Sequence, residues 1–217
     1  MQIDIFSDTI CPWCFIGKRR LERALAARPQ PGLEIRWRAF QLNPDMPPGG
    51  MDRQDYLAAK FGGAQGARQV YDRVRAAGES EGIAFAFEAI GRTPNTIDSH
   101  RLIRLAHDSD RGDQVVEALF KAYFLGGEDI GDRDVLVAAA AVAGLNAQDV
   151  RAFLESDAGA EAARAEDARA REIGIQGVPT FILGGKHSLS GAHEPEVLFQ
   201  LFDLGRAEAE SSASASA

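Results

Sequence analysis

Short runs of alternating hydrophobic and polar residues mark the start of the chain, and a helical pattern lies between two of them. Isoleucine alternates with polar neighbours within residues 2–7, and residues 33–40 alternate apolar with charged side chains. An alternation of period two predicts β-strands. After Cys11 the apolar residues recur at helical spacing, until the two prolines and the glycine of residues 28–32 end the pattern. The chain therefore opens with a βαβ unit.

A long helical region follows, and strands return near the C-terminus. From about residue 51 to residue 169 the periodicity is nearly all helical, with breaks at glycine and proline positions. Residues 178–183 and 186–190 are predicted to form a hairpin whose turn contains two glycines, and residues 194–205 a last helix.

These patterns predict an α/β fold with a large all-α insertion. One domain is expected to be discontinuous, because the strands lie at both ends of the chain. The last residues are rich in alanine, serine and glutamate, with nothing to bury. We expect one domain from residues 1–42 and 170–205, a helical insertion over 43–169, and a flexible tail over 206–217.

Composition and charge place the chain among ordinary globular proteins and argue against two classes of partner. Of the 217 residues, 45% are hydrophobic and 26% are charged, and the formal net charge is −8. An acidic chain without a long basic run repels phosphate, so nucleic acid is not expected as a partner. No apolar stretch approaches the ~18 residues that a membrane helix needs. The N-terminus lacks the features of a secretory signal, so either the precursor is cytosolic or the sequence is that of a mature form. We expect a cytoplasmic protein.

Two cysteines, Cys11 and Cys14, carry the clearest chemistry in the sequence. They enclose Pro12 and Trp13 at the point where the first predicted strand gives way to the first predicted helix. The free N–H groups and the dipole at a helix N-terminus favour the negatively charged thiolate. A CxxC motif in this position is typical of a redox-active pair, in which Cys11 attacks and Cys14, one turn further on, resolves the mixed disulfide.

The two cysteines also have two other interpretations. A structural zinc site needs four ligands, and the chain has only two cysteines and four histidines without finger-like spacing, so no metal is expected. Two unrelated buried cysteines are the second alternative. A redox pair would itself be the redox group, as a disulfide between Cys11 and Cys14, and so needs no separate cofactor.

A proline at the head of the second strand region, Pro179, is the second candidate element. A cis bond between Val178 and Pro179 would leave the Val178 backbone free to pair with an extended substrate. The alternative is a trans proline that merely begins an edge strand. The sequence does not show the isomer.

Together these motifs resemble the DsbA family of thioredoxin-fold oxidoreductases, and within it the FrnE-like branch. The resemblance implies that residues 1–42 and 170–205 form a thioredoxin-like domain, that Cys11 attacks and Cys14 resolves, and that Val178 and Pro179 border the substrate groove. The matching segments cover nearly the whole chain up to about residue 205, and they are residues 7–17, 94–96, 100–102, 124, 129–130, 177–181 and 190–192.

The resemblance also implies an alternative activity, and the chain departs from the family pattern between the two cysteines. Kappa-type glutathione transferases and 2-hydroxychromene-2-carboxylate isomerases share the fold, usually with a serine at the position of Cys11, and would use glutathione as a co-substrate. The presence of both thiols favours redox chemistry. Periplasmic DsbA enzymes carry a histidine between the cysteines, whereas this chain has Pro12 and Trp13, so we expect a less oxidising pair.

Three further residues have two interpretations each. Asn95 either caps a helix or contacts substrate, Trp13 either contacts a peptide or shields Cys14, and His100 is either a satisfied histidine at the domain interface or a proton shuttle.

The expected partner is a thiol or disulfide substrate, either a protein or a glutathione-like molecule. A holdase that uses the groove between insertion and core is a third function class, and the chain is expected to be a monomer or homodimer.

Overall fold

The structure is a computed structural model that describes residues 1–215, without the side chains of residue 64 and residues 209–215. The chain opens with strand β1 (Gln2–Ser7), helix α1 (Pro12–Ala27) and strand β2 (Glu34–Ala39). Strands β1 and β2 pair in parallel, with Ile3 opposite Ile35. The predicted βαβ unit is confirmed, and α1 begins directly after Cys11.

The middle of the chain is mainly helical, and two short strands hold its first part together. Its elements are β3 (Met51–Asp52), α2 (Arg53–Phe61), α3 (Ala64–Glu79), a 3₁₀ turn (Phe87–Ala89), β4 (Arg92–Thr93), α4 (Ile97–His107), α5 (Gly112–Phe124), α6 (Arg133–Val142), α7 (Ala147–Glu155) and α8 (Ala160–Glu172).

The expectation of a wholly helical insertion is wrong at β3 and β4, which pair antiparallel. Gly50 explains why the two segments come so close. Its φ is +70°, and a Cβ at this position would lie 2.7 Å from the carbonyl oxygen of Thr93. A residue with no side chain is therefore required where the two backbones meet.

The last part of the chain completes the sheet and adds a long helix. Its elements are β5 (Thr180–Leu183), β6 (His187–Ser190) and α9 (Pro195–Ala215). Strand β5 pairs antiparallel with both β1 and β6, so the four-stranded sheet has the order β2-β1-β5-β6. The predicted hairpin and the mixed α/β fold class are confirmed.

Helix α9 extends past residue 205, where we expected a tail to begin. Alanine and glutamate have high helix propensity, and adding residues to an existing helix avoids the cost of nucleation. Glu208 also contacts the hairpin, where its carboxylate binds Lys186 over 2.6 Å and His187 over 3.1 Å. Residues 216 and 217 of the expected tail lie outside the described residues.

Helices of the insertion cover the edge of the sheet. The outward N–H groups along and after β2 donate to side chains of α4 and α8: Trp37 to His107 over 3.2 Å, Ala39 to Glu166 over 2.8 Å and Gln41 to Asp167 over 2.7 Å. These bonds satisfy N–H groups of an edge strand that could otherwise pair with a strand of another chain. They also fix helices α4 and α8 of the insertion against β2.

The hydrophobic core runs without interruption from the sheet into the insertion. Phe15, one residue after Cys14, stacks on Phe120 of α5 with ring centroids 5.1 Å apart. The packing therefore ties the start of α1 to the insertion. No helix in the described part of the chain is both long and apolar enough to cross a membrane.

Candidate active site

Both cysteines lie at the N-terminus of α1 as free thiols. Cys11 is the residue that precedes the first helical turn, and Pro12 occupies the first helical position. The Cys11 N–H donates to the carbonyl oxygen of Asp8 over 3.0 Å, and the Cys11 carbonyl oxygen accepts the N–H of Cys14 over 3.0 Å. Cys11 is 4% exposed and Cys14 is fully buried, so an incoming group reaches Cys11 first.

The peptide bond between Val178 and Pro179 is cis, and this loop faces Cys11. The Cys11 Sγ lies 3.6 Å from the Val178 carbonyl oxygen. Pro179 packs on α1 at Gly17, where a Cβ would come within 2.9 Å of the proline ring. In the described part of the chain, no backbone hydrogen bond engages the N–H of Val178. This N–H is therefore free to bind another molecule beside the thiol.

A mainly apolar cavity of about 270 Å³ lies beside Cys11, between the sheet domain and helices α2 and α3. The structure brings several predicted site residues together on its wall: Cys11, Pro12, Trp13 and Val178. Trp13 is 37% exposed, as a contact surface for a substrate requires. Cys14 and Pro179 do not line the cavity and lie behind it.

Asn95 does not line this cavity, and both polar atoms of its side-chain amide form hydrogen bonds within the protein. Its Oδ1 accepts the N–H of Ile97 over 3.0 Å, and its Nδ2 donates to the carbonyl oxygen of Met46 over 2.6 Å. These bonds begin α4 and hold the loop before β3. A substrate contact by Asn95 stays a prediction.

One cavity residue was missed by sequence reasoning: Arg53, the first residue of α2. It is only 7% exposed, yet it lines the cavity. Its guanidinium donates to Thr93 over 2.9 Å, to Tyr123 over 3.3 Å and to Tyr71. The Nε atom has no hydrogen-bond partner among the described residues.

The charge of Arg53 is not neutralised by its neighbours. Burial raises the pKa of both Tyr71 and Tyr123, so both hydroxyls stay uncharged. No carboxylate of the described chain pairs with Arg53. A buried cation without a counter-ion is costly, and an anionic ligand in the cavity would offset that cost. A single arginine at the start of a predicted helix gives no sequence signal for this role.

Burial raises the pKa of the Cys14 thiol well above its ordinary value, and the hydrogen bond and charge of Cys11 raise it further. The Ser7 hydroxyl and the Asp8 N–H donate to the Cys14 sulfur and lower the pKa in part. Cys14 is therefore held as a protonated thiol. The charge on Cys11 disappears when its sulfur enters a mixed disulfide, and that change favours ionisation of Cys14.

No cluster of three or more histidine, cysteine, aspartate or glutamate side chains suited to a metal ion occurs among the described residues. The cysteine pair lies at a site built from α1, the loop before β5 and helices α2 and α3.

Comparison with known proteins gives the family. The sequence profile of the DSBA-like thioredoxin domain matches residues 2–203. The chain belongs to this family. The match runs through both the strands at the two ends of the chain and the helices between them.

Three solved structures have a fold similar to that of this chain. A probable DsbA oxidoreductase from Streptomyces coelicolor is 35% identical with a TM-score of 0.86, over 96% of this chain and 91% of that one. A cytosolic disulfide reductase, DsbM from Pseudomonas aeruginosa, is 19% identical with a TM-score of 0.64, over 99% of each chain. A 2-hydroxychromene-2-carboxylate isomerase is 20% identical with a TM-score of 0.68, over 100% of each chain. Membership of the FrnE-like branch stays a prediction.

Proposed function

We propose that the protein is a thiol–disulfide oxidoreductase that works through Cys11 and Cys14. One observation carries the proposal: a fully buried thiol and a thiol at the cavity wall share one helix end, beside the backbone N–H of Val178, which has no backbone hydrogen-bond partner among the described residues. This arrangement suits a nucleophile that receives the substrate and a second thiol that completes the exchange.

The first step of the proposed reaction takes place at Cys11. The Cys11 thiolate attacks one sulfur of a substrate disulfide, a mixed disulfide forms, and the other substrate sulfur leaves as a thiolate with the electron pair of the broken bond. The substrate lies in the apolar cavity and can pair with the Val178 backbone, as an added strand would.

The second step takes place at Cys14. Once Cys11 carries no charge, burial is the main remaining obstacle to ionisation of Cys14. The Cys14 sulfur then attacks Cys11, the protein disulfide forms, and the remaining substrate sulfur leaves as a thiolate. The reverse sequence transfers a disulfide to a reduced substrate, and the reduction potential of the pair sets the direction.

Arg53 favours substrates that carry a carboxylate, such as glutathione or its disulfide. Its unpaired charge lies on the wall of the cavity that holds Cys11. A glutathione-dependent isomerase or transferase on the same scaffold is therefore the second candidate. The proposed location is the cytoplasm, in keeping with the description of DsbM as a cytosolic reductase.

Reduction of insulin by the protein, with dithiothreitol as reductant, tests the proposal. We expect Cys11→Ser to lower the rate to the uncatalysed level, a loss of at least ~100-fold, because the remaining thiol, Cys14, is fully buried and out of reach of a substrate disulfide. Cys14→Ala should also lose turnover and accumulate the mixed disulfide. Equal rates in Cys11→Ser and the unaltered protein would contradict the proposal, whereas glutathione-dependent isomerase activity that survives Cys14→Ala would select the second candidate.

A further inference from the structure

A second cavity, of about 260 Å³, lies between helices α2 and α3 and the 3₁₀ turn before β4. It borders the cavity beside Cys11, because Arg53, Tyr71 and Phe87 line both of them. Tyr71 accepts a hydrogen bond from Arg53 and stacks on Phe87 with ring centroids 4.4 Å apart. These three side chains therefore form a partition between the two cavities, and neither cysteine lines the second one.

Apolar side chains form much of the wall of the second cavity. Leu57 of α2, Ala67 of α3, Phe87 and Ile90 line it, and none of them is more than 9% exposed. The volume is just below the range of typical ligand pockets, roughly 300–1,000 Å³. The cavity therefore suits a small molecule with an apolar body.

The charged side chains of the second cavity leave one positive charge in excess. Three arginines and two carboxylates line it: Arg53, Arg68, Arg75, Asp72 and Glu88. Arg75 binds Glu88. Arg68 and Asp72 are exposed to solvent, and neither forms an ion pair within the described part of the chain. Arg53 is the cation that remains, because it is buried and has no carboxylate partner among the described residues.

Arg53 also has an unused hydrogen-bond donor. The residue is only 7% exposed, and its Nε atom has no hydrogen-bond partner in the described part of the chain. Hydrogen bonds from a guanidinium to a carboxylate are about twice as strong as those between neutral groups. A carboxylate would match the single excess positive charge, whereas a phosphate monoester would bring roughly 1.5–2 negative charges.

We propose that the second cavity binds a small carboxylic acid, with the carboxylate toward Arg53 and an apolar body on Leu57 and Ile90. This site goes beyond the proposed function, because it is separate from the thiol pair. Arg53 also lines the cavity beside Cys11, so an anion in either cavity offsets the charge that attracts an anion to the other. Such coupling is reciprocal. A bound acid should therefore weaken the attraction of negatively charged reagents to Cys11 and leave neutral reagents unaffected.

Isothermal titration calorimetry with 2-naphthoate as the probe tests for the site, and 2-naphthamide is the uncharged control of the same shape. We expect naphthoate to bind about tenfold more tightly than the amide, because a hydrogen bond to a charged group is the stronger one. Arg68→Glu should weaken naphthoate binding about fivefold, since it places a negative charge at the cavity wall. Arg73→Glu makes the same charge change at an exposed position of α3 outside the cavity lining, and it should change binding little.

Lys60→Glu shows which cavity holds the anion, because Lys60 lines the cavity beside Cys11 and not the second one. Positions 60, 68 and 73 are all exposed, so the three variants should fold. Naphthoate binding that Lys60→Glu weakens more than Arg68→Glu does would place the anion beside Cys11 and overturn the proposal. Equal affinities for naphthoate and naphthamide, or equal effects of Arg68→Glu and Arg73→Glu, would also overturn it.

Alkylation of Cys11 in the reduced protein measures the coupling between the two cavities. Iodoacetate and iodoacetamide both form a bond from carbon to the Cys11 sulfur and release iodide, and only iodoacetate carries a carboxylate. Saturation with naphthoate should slow iodoacetate about threefold and leave iodoacetamide unchanged. Iodoacetate rates that do not respond to naphthoate would overturn the link through Arg53. Because alkylation needs only a reactive thiol, insulin reduction that persists in Cys11→Ser would refute the proposed function without affecting this result.

Discussion

Gly17 shows how closely single residues are fitted around the thiol pair. It lies one turn of α1 beyond Cys14, at the contact with the Pro179 ring. A Cβ on residue 17 would stand 2.9 Å from Cγ of Pro179 and 3.4 Å from the ring of Phe181. Because the proline ring is stiff, the loop that faces Cys11 would have to move away from α1.

Gly17→Ala is therefore expected to impair both stability and activity. Overpacking of this kind costs about 1–3 kcal/mol, and displacement of the Val178 backbone should slow insulin reduction. Thermal unfolding and the insulin assay measure the two effects. Gly49→Ala is the control, since a Cβ there meets nothing within 4 Å. A Gly17→Ala protein with the melting temperature and rate of the Gly49→Ala protein would show that the contact is unimportant.

Site residues that belong to a sequence motif could be predicted from the sequence. A residue whose role depends on its neighbours in the folded structure could not. The spacing of Cys11 and Cys14 at a strand–helix junction was enough to place both at the site. Arg53 is a single polar residue in an ordinary segment. Its relevance arises from burial and from neighbours distant in sequence, which one sequence does not display.

Elements are joined at the site by charge as well as by packing. Lys18 of α1 is 2% exposed and binds Asp113 of α5 over 3.1 Å. Arg19 of α1 binds Glu117 of α5. Burial alone would raise the pKa of Glu117, but Arg19 and Lys18 outweigh it and lower the pKa from 4.5 to about 2. This ion cluster fixes α1, which carries both thiols, against the insertion.

Glu117→Gln should destabilise the protein in a pH-dependent manner. The pKa of Glu117 is lower in the folded than in the unfolded state, so its contribution is present above pH 4.5 and is lost as the pH falls to about 2. Denaturant unfolding should give a loss of about 1–3 kcal/mol at neutral pH, which shrinks across that acidic range. Glu79→Gln, at an exposed position, should change little at any pH. A pH-independent loss in Glu117→Gln would contradict the role of charge.

Element prediction succeeded where a pattern was long enough to have a period. The helices and the glycine hairpin follow such patterns. Strands β3 and β4 have two residues each, too few for any period, and they form because a loop glycine lets two backbones meet. Helix α9 continues past its apolar stripe because alanine and glutamate favour helix and because Glu208 binds the hairpin.

At the scale of the whole molecule, the insertion and the sheet domain share one core. Side chains from β1, α1, α5 and α9 belong to the same buried cluster, among them Ile3, Phe15, Phe120 and Phe202. The cavity beside Cys11 exists only because helices α2 and α3 stand against the sheet domain. The periodicity of the sequence predicted the strands of the sheet and the helices between them. It carried no information about the surface on which the sheet and the helices pack together.

The central claim is that Cys11 and Cys14 form one reversible redox couple, and equilibration with glutathione buffers tests it most directly. Alkylation of the remaining thiols followed by mass spectrometry should show both cysteines becoming protected together, in a single two-electron transition, as the buffer becomes more oxidising. The absence of a histidine between the cysteines predicts a midpoint below that of DsbA, roughly −120 mV. Stable attachment of glutathione to Cys11 while Cys14 remains open to alkylation after unfolding would contradict the account.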